Sequence, residues 1–114
     1  MESPSAKSAK KSLNGKPFSE ICEEIVKHLP SKVYVSFDID GLNPELCPHT
    51  GTPVPGGLSF DQVVLLLHIL ATSGRQIIGF DLVEVAPGSD DEWDANVGAR
   101  ILQKLCNLTR LSIP

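Results

Sequence analysis

The spacing of apolar residues divides the chain into three helices and two strands. Apolar positions at helical intervals predict an amphipathic helix over Phe18–Leu29. Runs rich in β-branched and aromatic residues predict strands over Lys32–Phe37 and Gln76–Val85. Between the strands, a capping box at Ser59 begins a helix that is apolar on nearly every side, so we expect that helix to be largely buried.

The carboxyl-terminal part of the chain completes an α/β pattern. Ser89-Asp90-Asp91-Glu92 resembles a second capping box and predicts a helix that runs to about Cys106, with Leu108–Ile113 as a short strand or tail. The order is helix, strand, helix, strand, helix, which indicates a βαβ unit with a parallel sheet. The nearly continuous apolar strands predict a sheet covered on both faces. Covering both faces of the sheet requires more helices or strands than this chain supplies. We therefore expect the chain to be part of a larger α/β domain or to pair with other chains.

Acidic residues follow both predicted strands. Asp38 and Asp40 are one residue apart, and strand alternation predicts that they point the same way. Asp81 and Glu84 lie toward the end of the second strand, and the carboxyl ends of parallel strands meet at one edge. Carboxylates gathered there favour a hard divalent cation as their partner. The alternative is a turn in which one aspartate accepts a hydrogen bond from the backbone that follows it.

Charge and cysteine usage limit the possible settings. Residues 1–16 carry four lysines against one glutamate and predict a disordered Lys/Ser-rich extension, with a targeting or nucleic-acid arm as the alternative. The rest is acidic with few aromatics, so nucleic-acid binding is not expected. No apolar run approaches the ~20 residues that cross a bilayer, and the start has no signal-peptide core, so no membrane association is expected. Three cysteines without C-x-x-C favour a reduced, cytoplasmic setting.

Three motifs in order resemble the ureohydrolases, the family of arginase, agmatinase and formimidoylglutamase. They are Ser36-Phe-Asp-Ile-Asp-Gly-Leu-Asn-Pro44, Thr50-Gly-Thr-Pro-Val-Pro-Gly-Gly-Leu58 and Gly79-Phe-Asp-Leu-Val-Glu-Val85. The resemblance implies a three-layer α/β/α arginase-like fold with a parallel sheet. Residues 17–114 correspond to the carboxyl-terminal part of that fold only, so the expected fold is partial.

The resemblance also implies a chemistry. Family members bind two Mn²⁺ ions and hydrolyse a carbon–nitrogen bond of a small cationic guanidino or amidino substrate. Asp38 and Asp40 match the family's later pair of metal-binding aspartates. Glu84 matches the glutamate that faces the cationic group of the substrate, and Thr52 matches a threonine beside it. No residue is assigned as the catalytic acid or base, and Asp81 is left as a supporting or structural residue.

This sequence departs from the family pattern in two respects. Asn43 stands where the family usually has aspartate, which puts local support of the site in doubt. The family's Gly-Gly-Asp-His and Asp-Ala-His-x-Asp segments, which carry its other metal ligands, do not occur in this sequence. We therefore expect an incomplete manganese site and a truncated, inactive piece of an enzyme that would form a homo-oligomer at full length. His49, in the loop between the first two motifs, is a possible additional ligand.

Two other interpretations remain open. A phosphatase of the haloacid-dehalogenase type has Asp-x-Asp-Gly-Thr after a strand, but Leu42 stands where that threonine belongs. The chain is alternatively a non-catalytic remnant, or a module that binds a partner through a face that missing strands would cover. The sequence does not choose among arginine, agmatine, formimidoylglutamate and other substrates.

Overall fold

The computed structural model describes residues 15–114 of the chain. The predicted Lys/Ser-rich extension therefore lies outside the described residues for positions 1–14. The five elements follow the predicted order: α1 (Phe18–Lys27), β1 (Lys32–Asp38), α2 (Phe60–Ala71), β2 (Gln76–Val83) and α3 (Trp93–Leu111). Two short 3-10 turns, Ile39–Gly41 and Pro44–Leu46, follow β1.

The two strands pair in parallel, as the βαβ pattern predicts. The register runs from Lys32 opposite Gln76 to Asp38 opposite Val83, with one irregularity after Val33. Helix α2 is the crossover between the two strands. Because the strands are parallel, their carboxyl ends lie at the same edge, and the loops that follow them meet there.

One face of β1 packs on the core and the other is open. Val33, Val35 and Phe37 pack against a single cluster of buried residues from all three helices and β2. On the opposite face Tyr34 is 56% exposed, and Ser36 is exposed as well. The prediction of a sheet covered on both faces is therefore not met within residues 15–114. Among these residues, no helix combines the length and apolar content needed to cross a bilayer.

The helix starts show which local signals were reliable. The capping box at Ser59 is confirmed: Ser59 Oγ accepts from Gln62 N at 3.1 Å, and Gln62 Oε1 accepts from Ser59 N at 2.9 Å. The second predicted capping box is wrong, because α3 begins at Trp93 and the carboxylate that accepts from Trp93 N is that of Asp91, at 3.1 Å. Helix α3 then continues to Leu111, so the short final strand is also wrong.

Candidate metal site

The Asp38–Asp40 pair sits in a tight turn rather than along one strand. Strand β1 ends at Asp38, and Asp38 Oδ1 accepts a hydrogen bond from Asp40 N at 3.0 Å. That bond caps the 3-10 turn Ile39–Gly41, in which Ile39 is completely buried. Strand alternation therefore does not apply to this pair, because the strand ends at Asp38. The alternative prediction, a turn in which Asp38 accepts a hydrogen bond from the backbone that follows it, is confirmed. The turn keeps the two carboxylates close enough to repel each other.

A long loop returns beside Asp40 because its base is closed by backbone bonds. Asn43 N donates to Leu58 O, and Leu58 N donates to Gly41 O, both at 2.9 Å. Gly57 permits this approach, since a Cβ there would lie 2.4 Å from Leu42 O. Within the loop, Thr52 Oγ1 donates to Asp40 Oδ2 at 2.8 Å. The structure thus joins Thr52 to Asp40, whereas the family resemblance implies a place for Thr52 beside Glu84.

Glu84 joins this edge from the end of β2. It is the only non-glycine residue with positive φ in the described part of the chain, at 68°. The reversal ends β2 at Val83 instead of the predicted Val85. Glu84 O accepts from Thr50 Oγ1 at 2.9 Å. The carboxyl ends of both strands are therefore tied to the same loop, on which Thr50 and Thr52 are two residues apart.

The charges at this edge repel one another. Burial raises the pKa of Asp38 above its ordinary value, the hydrogen bond from the Asp40 amide lowers it, and the Asp40 and Glu84 carboxylates raise it again. Within residues 15–114, neither Asp38 nor Asp40 forms an ion pair with lysine, arginine or histidine. Each carboxylate also keeps an oxygen that the bonds above do not use. A bound cation would relieve this repulsion between carboxylates.

Asp81 belongs to the open face of the sheet. Asp81 Oδ1 accepts from Ser36 Oγ at 2.9 Å and Oδ2 accepts from Tyr34 Oη at 3.2 Å. In the register Asp81 lies opposite Ser36, before the strand ends. Both of its oxygens are thus used to link β1 to β2, which supports the structural interpretation of this residue over a role in the site.

His49 is held by the start of α3. His49 Nε2 lies 3.0 Å from Asp91 Oδ1, and His49 N donates to Asp94 Oδ2 at 3.0 Å. The imidazole that was a possible extra ligand therefore has a carboxylate partner of its own. Trp93 is about half exposed, and its Nε1 donates to Glu45 O at 3.0 Å. The amino-terminal end of α3 is thus hydrogen-bonded to the same loop that carries Thr52.

Sequence reasoning gave no role to Thr50 or Asp94. Thr50 is buried and Asp94 is completely so. Asp94 follows a run of exposed acidic residues, 90–92, and nothing in its spacing distinguishes it from them. The signal for Thr50 was its place in the second motif, but the motif alone does not reveal which backbone group its hydroxyl binds.

Within residues 15–114, Asp38 and Asp40 are two candidate metal ligands. Carboxylate oxygens are hard donors, so Asp38 and Asp40 suit Mn²⁺. Among residues 15–114, however, no group of three or more histidine, cysteine, aspartate or glutamate side chains is placed to hold a metal ion. The chemistry of these two donors fits a hard divalent cation, and their assignment as ligands stays a prediction.

Comparison with known proteins establishes the family. The family model described as the arginase family matches residues 8–107. The chain belongs to the arginase family. It is 50% identical over 80 residues to an agmatinase of Proteus mirabilis, a match that covers 69% of this chain and 25% of that protein. It is 46% identical over 65 residues to an N(1)-aminopropylagmatine ureohydrolase of Thermus thermophilus, covering 57% of this chain and 22% of the relative.

Solved structures agree with this arginase-family assignment. The crystal structure of a hypothetical agmatinase from Burkholderia thailandensis superposes with a TM-score of 0.73 at 37% identity, covering 86% of this chain and 31% of that one. The proclavaminate amidino hydrolase of Streptomyces clavuligerus gives 0.75 at 30% identity, covering 84% and 32%. The partial arginase-like α/β fold is thereby confirmed, and the haloacid-dehalogenase interpretation is set aside. The chain spans about a quarter of the length of the curated relatives that it matches.

Proposed function

We propose that this chain supplies the carboxyl-terminal part of a manganese-dependent ureohydrolase site. In this proposal Asp38 and Asp40 are metal ligands, and Glu84 and Thr52 lie on the substrate side. The observation that carries the proposal is the gathering of carboxylates at the carboxyl edge of the sheet, with mutual repulsion at Asp38 and no cationic side chain paired to either aspartate within residues 15–114.

Each residue has a chemical task in this proposal. When bound, two Mn²⁺ ions supply the Lewis acidity that lowers the pKa of water and makes hydroxide available near neutral pH. The Thr52 hydroxyl orients the Asp40 carboxylate by its 2.8 Å hydrogen bond. Glu84 pairs with a planar cation and holds it against the site. The substrate is therefore a small molecule with a guanidino or amidino group, a class to which the names of the relatives also point.

In this proposal the metal site of the chain is incomplete. Asp38 and Asp40 are two ligands of a site that binds two ions, so we propose that the 114-residue chain is an inactive piece of such an enzyme. The three free cysteines support a reduced, cytoplasmic setting. We propose that the complete enzyme is a homo-oligomer that acts on a small molecule and contacts neither nucleic acid nor membrane.

Calorimetry and a product assay test the proposal together. Titration of the purified chain with MnCl₂ is expected to show weak binding that Asp38→Ala and Asp40→Ala abolish. Asp61→Ala removes a carboxylate in the first turn of α2 and is the matched control, which should leave Mn²⁺ binding unchanged. No urea or ammonia is expected from arginine, agmatine or formimidoylglutamate. Robust turnover by this chain, or Mn²⁺ binding that survives both site substitutions, would contradict the proposal.

The open sheet face favours a second candidate, a non-catalytic module that binds a partner. Tyr34 is 56% and Ile78 is 58% exposed, and both belong to the two-stranded sheet. Exposed apolar patches mark interaction surfaces, and the outer edge of each strand is unpaired within residues 15–114, so it can add a strand from another chain. Light scattering after gel filtration measures the mass of any assembly. If the chain self-associates through this sheet, Tyr34→Lys and Ile78→Lys should reduce that mass to that of the monomer. Mn²⁺ binding should depend instead on Asp38 and Asp40.

A further inference from the structure

Two buried polar side chains in the described part of the chain, those of Thr50 and Asp94, form hydrogen bonds that hold residues 49 and 50 of the loop in place. Thr50 is 4% exposed and Asp94 is 0% exposed. A buried polar group costs folding free energy unless it is hydrogen-bonded, so its partner indicates what the group is there to hold. Asp94 accepts from the backbone of His49, and Thr50 donates to the backbone of Glu84.

The Thr50 bond ends on a backbone in an unfavourable conformation. Glu84 has φ 68°, a region that residues with a Cβ rarely adopt and that persists only where the surroundings impose it. The Thr50 hydroxyl reaches the Glu84 carbonyl at 2.9 Å across a sequence separation of 34 residues. Since φ at residue 84 sets the direction in which the chain and the Glu84 side chain leave the strand, this bond bears on where the carboxylate lies.

Asp94 keeps Thr50 at the place where this bond forms. The adjacent His49 amide is 3.0 Å from Asp94 Oδ2. Asp94 lies in the first turn of α3, where the helix dipole favours a negative charge. The loop that carries Thr50 is thus fixed to a helix on one side, and Thr50 is free to hold Glu84 on the other.

We propose that Thr50 is a positioning residue for Glu84. Its buried hydroxyl holds the Glu84 backbone in the left-handed conformation, and that conformation sets the direction in which the Glu84 side chain leaves β2. The task of Glu84 toward a substrate cation rests on the function proposed above. The backbone conformation of Glu84 does not depend on it, so the two are tested separately.

NMR of the isotopically labelled chain, without metal or substrate, tests the proposal. Positive φ gives a strong intraresidue amide–Hα NOE, which we expect at Glu84 in the unaltered chain. Thr50→Val removes the hydroxyl at nearly constant shape and is expected to abolish that signature. Thr50→Ser keeps the hydroxyl and should retain it. Thr72→Val is the matched control, because Thr72 Oγ1 also donates to a carbonyl, that of His68 at 2.9 Å, but far from Glu84 in the fold.

Three results would overturn the proposal. One is a positive-φ signature that survives Thr50→Val. Another is loss of the signature in both Thr50→Val and Thr50→Ser, which would give the task to the rest of the side chain. If Thr50→Val does not fold, the double variant Thr50→Val/Glu84→Gly should fold, because glycine adopts positive φ without strain. Failure of that variant to fold is the third. Absence of Mn²⁺ binding would defeat the proposed function and leave these results intact.

Discussion

Replacing Glu84 by glycine should stabilise the chain relative to replacing it by alanine. Both substitutions remove the carboxylate and its repulsion of Asp38, so their difference isolates the backbone at φ 68°. The left-handed region costs a residue with a Cβ about 1–2 kcal/mol, and glycine loses about 0.5–1 kcal/mol more than alanine in backbone entropy. The net expectation is that Glu84→Gly is more stable than Glu84→Ala by about 0–1.5 kcal/mol, with a central value of about 0.75 kcal/mol.

Urea unfolding followed by circular dichroism measures this difference. With an m-value of about 2 kcal/mol/M, the central value separates the two midpoints by roughly 0.4 M. Ala86→Gly is the control, because residue 86 does not have positive φ, and it should lower the free energy of unfolding by about 0.5–1 kcal/mol. The reasoning would be refuted if Glu84→Gly proved less stable than Glu84→Ala by the amount seen at residue 86.

Three further expectations concern capping, burial and thiol ionisation. Ser59→Ala breaks an observed capping box and should cost about 1 kcal/mol by urea unfolding, whereas Ser89→Ala, outside any helix start, should cost almost nothing; equal losses would contradict this. Asp94→Ala leaves the His49 amide without its acceptor and should cost about 2 kcal/mol in the same assay, with Asp94→Asn costing less; no loss on Asp94→Ala would count against the buried bond. Burial raises the pKa of Cys22 to about 11, so the stability that its protonated thiol contributes is present below pH 9 and is lost as the pH rises through 11. Iodoacetamide at pH 8 should therefore modify the exposed Cys106 and spare Cys22 by mass spectrometry, and prior modification of Cys22 would show that this part of the core is open.

Features that depend on neighbouring residues could be predicted from the sequence. The Ser59 capping box joins residues three apart, and the parallel pairing of the strands follows from one crossover helix. The family motifs pointed to Asp40 and Thr52 as separate site residues, and the hydrogen bond that joins them was not part of that prediction.

Features that depend on distant bonds could not be predicted. The positive φ of Glu84 has no local cause, since glutamate does not favour it, and its carbonyl is bound by Thr50, 34 residues away. Asp94 and His49 are 45 residues apart, and only the fold makes Asp94 more buried than the acidic residues before it. One local feature also stayed open. Strand alternation could not decide whether the strand continues past Asp38, because a hydrogen bond from the Asp40 amide to the Asp38 side chain competes with strand pairing.

Paramagnetic broadening by Mn²⁺ tests the central claim most directly. Mn²⁺ added in small amounts to ¹⁵N-labelled chain broadens the amide signals nearest to the bound ion. We expect the signals of Asp38, Asp40, Thr52 and Glu84 to broaden first, those of the carboxyl-terminal end of α3 to stay sharp, and the selectivity to vanish in Asp38→Asn/Asp40→Asn. Broadening centred elsewhere, or unchanged in the double variant, would contradict the assignment of these aspartates as metal ligands.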